Sequence, residues 1–149
     1  MGQAAQAAEE AGGEVIGVIP RALVEREVAR NELQDLRIVA NMHERKALMA
    51  DLSDAFVALP GGLGTFEELF EVLTWSQLGI HAKPTGLLDV EGYFAPLQTM
   101  LDHAVEEGFL RQEHRAAVVV DPDFESLLVR MEAWRPPALP TDWATSELR

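Results

Sequence analysis

Short apolar runs alternate along this chain with longer stretches in which apolar residues recur every three or four positions. That is the pattern of strands alternating with amphipathic helices. Residues 14–19 read as a buried strand stopped by Pro20, residues 36–40 as a second strand and residues 55–59 as a third. Residues 2–11, rich in Ala, Gln and Glu, read as a helix that Gly12 and Gly13 end. Residues 21–35 are polar and mixed, a loop with a short helix. Asn41 can cap a helix over 42–52, and further helices are expected over 65–78, 94–107 and 124–134, separated by strands over 85–90 and 116–120. Buried strands joined by helices imply an α/β fold with a doubly wound parallel sheet and flanking helices. Residues 1–134 read as a single domain, and the Pro-rich residues 135–149 as a loosely ordered tail.

Composition narrows the function more than the fold. The chain has 149 residues, of which 48% are hydrophobic, enough for one domain with a sizeable core. Its 25 acidic against 12 basic residues give a formal charge of −13, which argues against nucleic acid or an anionic membrane as the main partner. An anionic mononucleotide could still bind at a locally positive site. Cysteine is absent, so disulfides, thiolate catalysis and Cys-ligated metals are excluded. No stretch has the length of a membrane span, the opening residues do not show the basic-then-apolar pattern of a signal peptide, and a cytoplasmic protein is the expectation.

The candidate chemistry centres on Leu59-Pro60-Gly61-Gly62-Leu63-Gly64-Thr65-Phe66-Glu67-Glu68, which joins the third strand to a helix. Glycines there let bare N–H groups approach an anion, and the helix start adds unsatisfied donors and the positive end of a dipole. With the helix beginning near Thr65, Glu67 and Glu68 would fall in its first turn, where that dipole favours carboxylates. In the helix over 42–52, Arg45 lies on the stripe of Met42, Leu48, Met49 and Leu52, so it should be paired or bind an anion; a structural salt bridge is the plainer alternative. For Glu68 the plainer alternative is a solvated glutamate, and for Thr74 a back-bond to the preceding turn. Phe66, Leu69, Phe70 and Leu73 form one face of the helix over 65–78, while Val72 and Trp75 share the other with Glu68. Two apolar faces suggest cover on both sides, the second from another subunit. His43, His81, His103 and His114 have no metal-ligand spacing and read as structural or surface residues.

Residues 60–68 resemble the PGGxGTxxE motif of the Lonely Guy (LOG) family of nucleoside 5′-monophosphate phosphoribohydrolases, and residues 12–20, 42–46 and 74–84 are similar to family blocks in the same order. The resemblance implies a Rossmann-like fold and hydrolysis of the N-glycosidic bond of AMP or an N6-modified AMP, a cytokinin nucleotide, to free base and ribose 5-phosphate. It maps catalytic roles onto Arg45 and Glu68. It maps substrate binding onto Glu27, Lys46, Gly61, Gly62, Leu63, Gly64, Thr65, Glu67 and Thr74. No metal or organic cofactor is called for, and a homodimer is expected. Met1-Gly2 align with the end of the family's GGGxxGLMG stretch, so the family's first strand is expected to be missing from this chain. Three alternatives stay open: a non-catalytic carrier of a nucleotide-like ligand or a molybdenum cofactor, the lysine decarboxylase label often attached to the family, and a purely structural remnant.

Overall fold

A computed structural model describes residues 2–24 and 35–137, which fall into two compact units, Met1–Ser53 and Asp54–Arg149. Both are built from parallel strands and helices, the α/β Rossmann-like architecture expected.

The first unit runs α1 (Gly2–Glu10), β1 (Ile16–Pro20), α2 (Arg21–Val24), β2 (Asp35–Val39) and α3 (Met42–Leu52). Gly12, at φ 83, ends α1 as expected: its N–H donates to the Glu9 carbonyl and that of Gly13 to the Ala8 carbonyl, a Schellman closure. β1 and β2 pair in parallel from Ile16 opposite Asp35 to Pro20 opposite Val39. Pro20 therefore does not stop the strand but closes it, at the last paired position and buried. Nor are the strands buried throughout: Ile16 of β1 is 44% and Ile38 of β2 48% exposed, one on each face of the ribbon. α3 has the bounds the sequence implied. The Asn41 side chain accepts from the Glu44 N–H at 2.9 Å, and the Glu44 carboxylate accepts from the Ala40 N–H at 2.9 Å, a reciprocal N-terminal clamp.

The second unit runs β3 (Phe56–Ala58), α4 (Leu63–Gln77), β4 (Thr85–Leu88), a 3-10 turn (Val90–Gly92), α5 (Ala95–Glu106), α6 (Gln112–Ala116), β5 (Val118–Asp121) and α7 (Phe124–Glu132). Its three strands are parallel in the order β3-β4-β5, so β4 is central. Alternation along the strands separates two apolar layers. Leu87 and Val118 face Leu69 of α4 and Phe94, Leu97 and Leu101 around α5. On the other face Val119 meets Leu127 and Met131 of α7, with Leu88 packed against them. Gly86 faces α7 too, where a Cβ would come within 2.5 Å of the Met131 sulfur, so glycine sets how closely α7 approaches. Helices on both faces make this unit doubly wound. No helix among the described residues is long and apolar enough to cross a membrane.

Candidate functional site

Gly61 differs from the other two loop glycines in what surrounds it. At Gly61 a Cβ would stand 2.2 Å from the Thr65 hydroxyl and 3.1 Å from the Thr65 Cβ, a clash that side-chain rotation alone does not clear. At Gly62 and Gly64 an added Cβ would meet nothing within 4 Å among the described residues. None of the three has a positive φ. Neither a positive φ nor packing among the described residues therefore requires glycine at 62 and 64.

Gly62 is the N-cap of α4, and its carbonyl accepts from the N–H groups of Thr65 at 3.0 Å and Phe66 at 3.2 Å. Leu63 and Gly64, the first two helical residues, have N–H groups without an intrahelical acceptor. They stand at the positive end of a 15-residue helix that has no side-chain cap. Leu63 is 89% exposed beside them. Because Leu63 and Gly64 are already helical, α4 starts two residues earlier than expected. That moves Glu67 and Glu68 from the first turn, which contains no acid, into the second. Dipole stabilisation fades beyond the first turn, so it does not account for either carboxylate. Glu67 is exposed and Glu68 half-buried.

Thr74 lies apart from this loop. Thr74 sits roughly 18 Å further along the axis of α4 than Gly62, at 1.5 Å per residue. Its hydroxyl donates to the Phe70 carbonyl at 2.7 Å, the plainer alternative for a threonine in mid-helix. It lines a cavity of about 250 Å³ that also touches Thr85 and Val118, the first residues of β4 and β5. The loop, by contrast, follows the last residue of β3. Arg45 and Lys46 belong to the first unit, both half-buried on α3. Arg45 is anchored by its Nε donating to the Val18 carbonyl of β1 at 3.2 Å. The stripe expected to bury it is only partly inward: Met42 and Leu52 are 44% and 41% exposed, and the buried residue of α3 is Ala50. Glu27 lies outside the described residues.

Tyr93, which the sequence did not single out, and His81, which it read as structural or surface, support the loop and its helix. The Tyr93 hydroxyl donates to the Gly61 carbonyl. His81 Nδ1 accepts from the Lys83 N–H at 3.2 Å, which leaves Nε2–H to donate to the Val72 carbonyl of α4 at 2.9 Å. Burial pushes the His81 pKa down, opposed by its bond to Val72 and aided by the charge of Lys83. Local sequence signals could not reveal the Tyr93 contact, since its partner is 32 residues away.

The sequence model of a family described as "Possible lysine decarboxylase" matches residues 1–131, the glycine loop and α3 included. The chain is also 50% identical over 136 residues to cytokinin riboside 5′-monophosphate phosphoribohydrolase LOG5 of Arabidopsis thaliana, covering 91% of this chain and 60% of that protein. It belongs to the Lonely Guy (LOG) family. LOG3 of the same plant is likewise 50% identical, over 91% of this chain and 63% of its own length. The LOG protein of Oryza sativa subsp. japonica is 48% identical over 91% and 56%. Both carry the same phosphoribohydrolase name as LOG5. The chain thus spans about 60% of the length of the curated relatives it matches. The LOG resemblance read from residues 12–20, 42–46, 60–68 and 74–84 is borne out.

Proposed function

We propose that this LOG-family protein hydrolyses the N-glycosidic bond of a nucleoside 5′-monophosphate, AMP or an N6-modified AMP, to free base and ribose 5-phosphate. The observation that carries the reading is the loop Gly61–Gly64, where two glycines face space open among the described residues, beside two helix N–H groups without an intrahelical acceptor. A 5′-phosphate seated there uses remote binding energy to position the anomeric carbon. Cleavage develops oxocarbenium character on the ribose. Glu68, half-buried in the second turn of α4, stabilises that charge or takes a proton from the attacking water. Arg45, held by the Val18 carbonyl, fixes the substrate or its leaving base, and Lys46, Glu27, Glu67, Thr65 and Thr74 contribute to binding. The names of the plant relatives, each at about half identity, support the substrate class.

The test is chromatography of the full-length protein's products. Stoichiometric free base and ribose 5-phosphate from AMP are expected, and intact nucleotide after prolonged incubation with AMP and N6-modified AMP would refute the reading. We also propose a cytoplasmic homodimer with α4 at its interface. Support comes from the second apolar face of α4, where Val72 and Trp75 are only half-buried within the chain. A solution mass of one chain for the full-length protein would overturn the dimer.

A further inference from the structure

The turn after β4 reaches back to the glycine loop. In it Glu91 has φ 52 and Gly92 φ 74, so two consecutive residues are left-handed and one of them carries a side chain. A glutamate keeps that conformation only where its surroundings impose it. The fastenings are visible. Asp89 Oδ1 accepts from the Phe94 N–H at 2.6 Å, Oδ2 accepts from Gln98 at 3.4 Å, and the Asp89 N–H donates to the Asp121 carbonyl of β5 at 2.9 Å. Asp89 therefore ties the turn to β5 and holds Phe94, the residue after Tyr93. The Tyr93 ring is set between Phe66, stacked at 6.4 Å, and Phe94, edge-on at 5.1 Å. Its hydroxyl ends on the Gly61 carbonyl.

That carbonyl shares a peptide plane with the Gly62 N–H, which points the opposite way across a trans bond. A peptide flanked by glycine on both sides is the easiest kind to flip, because both residues tolerate either sign of φ. We propose that Tyr93 is a positioning residue for nucleotide hydrolysis: its hydroxyl locks the Gly61–Gly62 peptide so that the Gly62 N–H joins those of Leu63 and Gly64 in facing the 5′-phosphate. Glu91 and Gly92 are left-handed because that path aims Tyr93 at the loop. The proposal rests on the phosphate-binding reading above and assigns it a side chain outside the family motif.

The experiment compares wild type with Tyr93→Phe, which keeps the ring and its aromatic neighbours. A second variant carries para-aminophenylalanine at position 93, restoring a donor at the same place. With the full-length protein, KM for AMP and the inhibition constant of ribose 5-phosphate should rise together in Tyr93→Phe, roughly three- to tenfold, the range for one lost hydrogen bond. Values for adenosine should not move, and the amino variant should return both constants towards wild type. An unchanged inhibition constant in a folded Tyr93→Phe protein, or equal losses for AMP and adenosine, would overturn the proposal. A wild-type protein that handles AMP and adenosine alike would instead overturn the phosphate reading, so the two failures are distinguishable.

Discussion

Replacing Gly64 by alanine should make this protein more stable and nearly inactive. Gly64 is the second residue of α4, has no positive φ, and has no atom among the described residues within 4 Å of where a Cβ would stand. Alanine there meets no clash and narrows the unfolded ensemble, a gain of about 0.4–1 kcal/mol. For a chain of this size that raises Tm by roughly 1–4 °C. Phosphate oxygens accepting from the Leu63 and Gly64 N–H groups, at about 2.9 Å, would meanwhile lie within contact range of the added methyl. Displacing the phosphate by about an ångström misplaces the anomeric carbon, and such errors cost on the order of 10²-fold in rate. Thermal melts followed by circular dichroism give the first quantity, and ribose 5-phosphate release from AMP the second. Activity within twofold of wild type would refute backbone capture of the phosphate. A fall in Tm would refute the claim that nothing among the described residues requires glycine there.

Arg45→Ala and Glu68→Ala should each lose on the order of 10²-fold or more in kcat/KM for AMP with the fold retained; near wild-type turnover in either would remove its catalytic assignment. Thr85 is 3% exposed and its hydroxyl has no partner among the described residues, so Thr85→Val should raise stability by about 1 kcal/mol in denaturant melts, whereas a loss would show that the hydroxyl is satisfied. His81 gives a pH dependence. Burial lowers its pKa in the folded chain, so between that value and the ordinary 6.5 the unfolded chain holds a proton that the folded chain does not. Its contribution is complete above about pH 6.5 and drains away as pH falls through the folded value. Wild type should therefore lose more Tm between roughly pH 7 and 5 than His81→Gln, and parallel slopes would contradict that reasoning.

What the sequence made legible were features with local causes. Asn41 announces α3 because an N-cap acts on a residue three positions away, and Gly12-Gly13 announce the end of α1 because a left-handed C-cap needs no distant partner. The glycine loop was legible for the same reason, but its detail was not. Gly62 to Gly64 read as loop because glycine is a poor helix former, yet Gly62 caps α4 and Leu63 begins it, and the two carboxylates move to the second turn. Pro20 read as a strand stop because it has no N–H to donate, a defect that the final position of β1 tolerates. α6 escaped notice because its five residues, QEHRA, are too few to show periodicity. Tyr93 escaped because its role exists only once β3 and β4 lie side by side. Thr74 was legible in its local contact, the back-bond to the Phe70 carbonyl one turn earlier.

The most direct test of the account is the ratio of kcat/KM for AMP to that for adenosine, measured with the full-length protein by release of adenine. If the loop from Gly61 to Thr65 anchors the 5′-phosphate and Glu68 acts at the sugar, AMP should be favoured by roughly 10²-fold or more, since remote binding energy then appears in the rate. Equal values for the two substrates would contradict it.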